Sequence, residues 1–257
     1  MIEAVIFDWA GTTVDYGCFA PVQAFQEVFR SFGVEPTLEE TRKPMGMLKR
    51  DHIRTMLHMD RIAEEWKARY GALPAEKDVD ALYAVFEEKL LSILSGFVDI
   101  KPGVLEAAEA LRAQGVRIGS TTGYTDRMMG IVAPIAAQNG YAPDYWISPD
   151  STGGFGRPYP YMIFRNLEKL SVQSVQAAAK VGDTVSDIRE GKNAGVYTIG
   201  VLEGSSEMGL ARAEYEALAP TAQAQACAKA AAVFRSAGAD AVIRNMAELP
   251  ALLRQVR

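Results

Sequence analysis

Six short apolar runs recur along the chain with helical stretches between them: Glu3–Trp9, Arg117–Thr122, Tyr145–Ser148, Ala178–Asp183, Tyr197–Val201 and Asp240–Ile243. A strand with one wet face alternates apolar and polar residues. These runs hardly alternate, which is the pattern of strands covered by helices on both faces. The order strand, helix, strand predicts an α/β fold built on a doubly wound parallel sheet with right-handed crossovers. Val104–Gln114, set between Pro102-Gly103 and Gly115, predicts the helix that feeds the Arg117 strand. Ligands of such sheets bind beyond the carboxyl ends of the strands, so the residues that follow each run are where chemistry is sought.

The stretch from Tyr16 to Phe97 breaks the pattern. It holds no convincing strand, and its periodicity predicts helices over Pro21–Phe32, Pro44–Met59, Ile62–Tyr70 and Val79–Leu94. Inserted after the first strand, it predicts a helical cap domain over 17–97 on a core made of 1–16 and 98–257. Hinges are expected near Thr13–Gly17 and Ser95–Lys101. A helical bundle with no part in the chemistry is the alternative. Ala211–Ala232 predicts an exposed late helix without a chemical signal. The net charge of -5 argues against a general nucleic-acid binder, so a small anionic substrate needs a local positive site. No apolar run reaches the roughly 18 residues of a membrane span, and no basic-then-apolar leader pattern is present. Cys18 and Cys227 supply neither a disulfide framework nor a metal cluster, and a reducing cytoplasm is the expected compartment.

Three strand ends carry polar groups, and a fourth loop brings Arg157. Asp8 ends the first strand and leads into Trp9-Ala10-Gly11-Thr12-Thr13; alone, an Asp at such a place is most often a turn or cap residue. Thr121-Thr122-Gly123-Tyr124 offers hydroxyl donors to a phosphoryl group. Gly182-Asp183-Thr184-Val185-Ser186-Asp187 brings two carboxylates four residues apart, which as a bland alternative could cap a helix. Asp8 and Asp183, the Ala10 carbonyl and, through water, Asp187 make an oxygen set suited to Mg²⁺. A cation for the phosphoryl charge comes from Arg157 or Lys180. Arg157 is favoured because its planar fork matches phosphoryl oxygens and Pro160 starts a helix just after it. Lys180 lies within a strand and is expected to fall short of the loop.

Together these loops resemble the haloacid dehalogenase superfamily, and the likeness spans essentially the whole chain. The resemblance implies a Rossmann-like core and an aspartyl-phosphate formed on Asp8. In phosphatases of that family a second Asp, two residues on, protonates the leaving oxygen; here that position is Ala10.

Pro44-Met45-Gly46-Met47-Leu48-Lys49-Arg50-Asp51-His52 supplies a different device. Pro44 suits the first position of a helix, which would align Met45, Lys49, His52 and Met56 on one face. A lysine beside methionines is ordinarily a snorkelling surface residue. In a dry surround its pKa falls, and the neutral amine can form an imine with an aldehyde. An imine lets carbon depart from phosphorus as an enamine, so no acid at position 10 is needed. His52 could move protons in that step, or pack at a domain junction.

With Asp8-Trp9-Ala10-Gly11-Thr12 and Thr122-Gly123-Tyr124, this helix makes the chain similar to the phosphonoacetaldehyde hydrolase family. The resemblance implies hydrolysis of phosphonoacetaldehyde to acetaldehyde and phosphate, within breakdown of 2-aminoethylphosphonate. It further implies Asp8 as nucleophile, Lys49 as the Schiff-base lysine, Mg²⁺ on Asp8, Ala10, Asp183 and Asp187, and phosphate on Thr122, Gly123 and Arg157. Met45, Cys18 and Tyr124 would line the aldehyde side, and caps would pair into a homodimer. A phosphate-ester phosphatase and an inactive binding module remain as alternatives.

Overall fold

The computed structural model describes residues 2–256. Among them, six strands form one sheet: β1 (Ala4–Phe7), β2 (Arg117–Thr121), β3 (Tyr145–Ile147), β4 (Ala178–Gly182), β5 (Tyr197–Val201) and β6 (Ala241–Ile243). Their order is β3-β2-β1-β4-β5-β6 and every pair is parallel. All four residues of β1 are buried. Val5 and Phe7 enter one apolar cluster, Ala4 and Ile6 another, so the period-two alternation of a strand feeds two cores. That is why the run is apolar throughout. β1 lies between β2 and β4, where the winding of the sheet reverses, and the crevice beyond it is where such sheets take ligands.

Between β1 and β2 come α1 (Phe19–Ser31), α2 (Leu38–Arg42), α3 (Lys49–Leu57), α4 (Asp60–Tyr70), α5 (Glu76–Ile93) and then α6 (Val104–Ala113). The first five form the helical cap. Helices α1, α3 and α5 meet at Phe25, whose ring stacks 3.8 Å from His52 and 4.2 Å from Phe86. Cap residues and sheet residues belong to one continuous apolar cluster. The remaining helices cover the sheet: α7 (Asp126–Gln138), α8 (Tyr161–Lys169), α9 (Val185–Ala194), α10 (Arg212–Ala217), α11 (Pro220–Ser236) and α12 (Leu249–Leu253).

Two expectations about the helices need correction, and one helix comes unannounced. The helix expected from Pro44 starts only at Lys49, because residues 43–47 are turns and Gly46 sits at φ +84°. Met45 therefore lies in a turn and does not share a helix face with Lys49. Helix α2 was not expected, although Thr37 and Glu40 form a reciprocal capping box at its start. Ala211–Ala232 is two helices, since Leu218 and Ala219 are extended and Pro220 opens a new first turn.

Candidate active site

Asp8 leaves β1 at the centre of the sheet and is 4 % exposed. Its Oδ1 accepts from Arg157 Nη2 at 2.5 Å, and Thr12 Oγ1 stands 3.5 Å from Oδ2. Asp183 follows β4 and is fully buried. Thr12 Oγ1 donates to its Oδ1 at 3.0 Å and the Ser206 amide to its Oδ2 at 2.7 Å. Asp187, in the first turn of α9, accepts from Thr184 Oγ1 at 2.5 Å. Oxygens of Asp8, Asp183 and Asp187 all lie within 4.8 Å of one another. The approach is so close that a Cβ on Gly11 would fall 2.0 Å from Asp183 Oδ2. Glycine at position 11 is what lets the loop after β1 lie on the second acidic loop.

The cations are unevenly shared. Arg157 contacts Asp8, Asp187 at 3.1 Å and Glu190 at 3.0 Å. Lys180 lies 3.0 Å from Asp187 and 3.2 Å from Glu190, and donates to Thr121 Oγ1 at 2.7 Å. The expectation that Lys180 falls short of the loop is thus wrong for Asp187. On β4 its side chain enters the dry face under α9, where a lone ammonium would be costly and pairing is obligatory. It does not line the cavity that Asp8 faces. Among the described residues, no cation stands within ion-pair distance of Asp183.

Charge balance follows from this wiring. Burial, then the Asp8 and Asp187 charges, push Asp183 up to about 7. Burial also raises Asp8, against the pull of Arg157. For Asp187 burial works in the same direction, but Arg157 and Lys180 prevail and hold it below the usual carboxylate range. Three buried carboxylates, one of them without a cationic partner, fit a hard divalent cation that takes oxygen ligands.

The cap supplies the opposite wall. Lys49 opens α3 and is 6 % exposed. Its Nζ stands 5.1 Å from the centre of the Tyr124 ring. Burial, the largest influence, lowers its pKa. A cavity of about 20 Å³ brings together Asp8, Ala10, Cys18, Met45, Lys49, Thr122, Gly123, Tyr124 and Arg157. His52, one turn after Lys49, does not line it. It is enclosed in the cap with Nε2 2.8 Å from the Thr41 carbonyl. Burial and then the Lys49 charge hold it well below the usual histidine range, so it is neutral, with Nε2–H donating to Thr41 and Nδ1 unpartnered among the described residues. Cys18 is a buried thiol at φ 53°, pushed up first by burial and next by Asp15.

Several groups at the site were not foreseen. Thr12 belongs to the Asp8 loop, where a hydroxyl close behind a strand end is the signal. Glu190, Lys101 and Ser206 gave none, since each acts through contacts that only the fold creates. Thr121, expected as a hydroxyl donor to a phosphoryl group, does not line the cavity and is bonded to Glu190, Lys180 and Arg157.

A family model for haloacid dehalogenase-like hydrolases matches residues 2–195. The phosphonoacetaldehyde hydrolase of Lysinibacillus sphaericus (strain C3-41) is 52% identical over 255 residues, 99% of this chain and 95% of that protein. The bifunctional phosphonoacetaldehyde hydrolase/aminoethylphosphonate transaminase of Clostridioides difficile (strain 630) is 48% identical over 255 residues, 99% of this chain and 40% of that longer protein. The crystal structure of a phosphonoacetaldehyde hydrolase-like protein from Oleispira antarctica superposes with a TM-score of 0.96 at 38% identity, covering 99% of this chain and 92% of that one. The parallel sheet with its helical cap and the acidic crevice accord with these matches. The chain belongs to the haloacid dehalogenase-like hydrolases and, within them, to the phosphonoacetaldehyde hydrolase family.

Proposed function

We propose that this protein hydrolyses the carbon–phosphorus bond of phosphonoacetaldehyde, giving acetaldehyde and phosphate. One observation carries the reading: a buried lysine with a lowered pKa faces the same cavity as Asp8, while position 10 offers no acid. Lys49, as the free amine, adds to the aldehyde, takes up one proton from water in the site and expels water, leaving a protonated imine. The Asp8 carboxylate then attacks phosphorus. The phosphorus–carbon electrons pass into the imine, so carbon departs as an enamine and Asp8 carries the phosphoryl group. Protonation of the enamine carbon and addition of water release acetaldehyde from Lys49. A second water frees phosphate from Asp8.

Arg157 meets the phosphoryl charge together with Thr122 and the Gly123 amide. Met45, Cys18 and Tyr124 keep the aldehyde side dry, which favours the neutral amine. His52 is enclosed in the cap away from that cavity, stacked on Phe25 and bonded to the Thr41 carbonyl, so it packs behind Lys49 and the protons of imine formation move through water in the site. Asp8, the Ala10 carbonyl, Asp183 and Asp187 would hold Mg²⁺, which when bound offsets repulsion between the carboxylate and the anionic substrate.

The cap, 17–97, moves on the core, 1–16 and 98–257, and two caps pair in a homodimer. Leu38, Tyr70, Leu73 and Val85, all exposed on the cap, support a covering partner there. Work in the cytoplasm on 2-aminoethylphosphonate breakdown is part of the same reading, supported by the fused transaminase of the Clostridioides difficile relative.

The test is phosphate release from phosphonoacetaldehyde. It is expected to stop in EDTA and return with added Mg²⁺. Efficient turnover of simple phosphate monoesters, without release from phosphonoacetaldehyde, would replace this reading with that of an ester phosphatase.

A further inference from the structure

Both hinges and the acidic crevice meet on one loop after β5. On the first hinge, the Gly17 amide donates to the Gly204 carbonyl at 2.8 Å. On the second, Lys101 is 4 % exposed, and its ammonium donates to the carbonyls of Gly11, Glu203 (2.8 Å) and Gly204 (3.1 Å). Two residues further on, Ser206 donates its amide to Asp183 Oδ2 at 2.7 Å. From the cap, Arg42 Nη1 reaches the Ser206 carbonyl at 3.3 Å.

Lys101 has no carboxylate within ion-pair distance among the described residues. All three of its N–H donors are spent on backbone carbonyls, which is how a buried ammonium is tolerated without a counter-ion. The wiring has a consequence at the crevice. A lysine paired directly with Asp183 would take up the oxygens that face Asp8. This one leaves them without a cation, and instead ties the loop carrying Asp8 to the loop whose amide orients Asp183.

We propose that Lys101 is a positioning residue for the hydrolysis, fastening Gly11 to Glu203–Gly204 and so fixing the nucleophile loop against Asp183. It rests on the function proposed above. Misplacing a reacting group by about 1 Å costs on the order of 10²-fold in rate. The ammonium therefore matters to the bond-breaking step, and far less to the capture of aldehyde at Lys49, which sits across the cavity on the cap.

Lys101 also borders a second cavity of about 410 Å³, lined by Tyr16, Glu203, Arg212, Tyr215 and Arg244 among others. Removing the side chain opens a path by which a small alkylammonium ion can take its place.

The experiment compares Lys101→Ala and Lys101→Met with the unaltered enzyme. Phosphate release, and borohydride trapping of the imine at Lys49, are measured for each with phosphonoacetaldehyde. Both variants are expected to lose about 10²-fold in kcat with KM and trapping within about threefold. Ethylammonium is expected to restore kcat about tenfold or more in Lys101→Ala, saturably, and to do nothing in Lys101→Met, whose chain fills the space. Unchanged kcat in either variant, trapping that falls in step with kcat, or absence of rescue overturns the proposal. If Lys101→Ala fails to fold, the kcat, KM and trapping of Lys101→Met decide. Failure of the underlying function shows separately, as an unaltered enzyme that gives neither trapping nor phosphate.

Discussion

At Lys49 the amine and the ammonium differ by what burial costs the charge. In water a lysine is almost wholly protonated at neutral pH. Enclosed at the head of α3, its pKa falls below the ordinary 10.5. The sign is fixed by that direction. Because the folded state prefers the neutral form, the free amine gains as pH rises through the lowered value. Stability linked to this group also rises with pH over the interval between the lowered and ordinary values. Borohydride trapping with phosphonoacetaldehyde is therefore expected to speed up with rising pH, levelling before the range of an exposed lysine. Lys49→Arg keeps the positive charge but cannot form an imine. It is expected to abolish trapping and to lower phosphate release by about 10³-fold or more, as loss of a covalent catalyst does. Activity near that of the unaltered enzyme in Lys49→Arg would remove the imine from the mechanism.

Helix α1 shows how an element at the hinge is held without its own cap. Its flanking residue, Cys18, is left-handed and offers no side-chain acceptor. Asp15, three residues earlier, accepts the Phe19 amide at 2.9 Å and the Ala20 amide at 3.0 Å with its two oxygens. These are two of the amides that every helix leaves orphaned. Asp15→Ala is expected to cost about 1–2 kcal/mol, lowering Tm by about 2–6 °C for a chain of this size. Burial pushes the Asp15 carboxyl up to about 6. A raised folded pKa means stability that is fullest below the ordinary value of 3.8 and lost as pH rises through 6. The Tm gap between the two proteins is therefore expected to be wider at pH 5 than at pH 7, and a gap that widens toward pH 7 would contradict the assignment. Other elements differ in how plainly the sequence announces them. The strands were legible because a strand buried on both faces must be apolar throughout, as Ala4–Phe7 is. The start of α3 was not, because helical spacing runs on through Met45 and only contact with the core explains the positive φ of Gly46. The capping box at α2 is legible in the spacing of Thr37 and Glu40 alone. At the site, Asp8, Asp183, Asp187 and Lys49 stood out as chemistry placed at strand ends or in a cap. Lys101 and Ser206 did not, since a side chain that serves backbone carbonyls, or an amide that serves a carboxylate, has no pattern in sequence.

Across the whole molecule, the cap rests on the core more tightly than the reaction allows. The cavity between them, about 20 Å³, has room for little more than one water-sized sphere, and the proposed substrate has several heavy atoms. Cap and core touch through backbone. A Cβ on Gly46 would lie 2.3 Å from Thr184 Oγ1, and one on Gly123 would lie 3.3 Å from the Met47 carbonyl. Thr184 has little freedom to retreat, because its hydroxyl caps α9 and holds Asp187 at 2.5 Å. On the function proposed above, entry of substrate requires the cap to lift and the proposed chemistry requires it to return, since Lys49 and Asp8 sit on opposite walls. Gly46→Ala tests this directly. At φ +84° the new methyl group is strained and also strikes Thr184, so the cap is held off the core while each domain keeps its own packing. The variant is expected to melt within a few degrees of the unaltered protein yet lose about 10- to 10²-fold in kcat/KM. In solution scattering, the unaltered protein should compact when Mg²⁺ and a phosphate analogue are added together, and Gly46→Ala should not. Equal compaction in both, with activity intact, would mean that Gly46 and Thr184 do not set the seating of the cap and that closure is governed elsewhere.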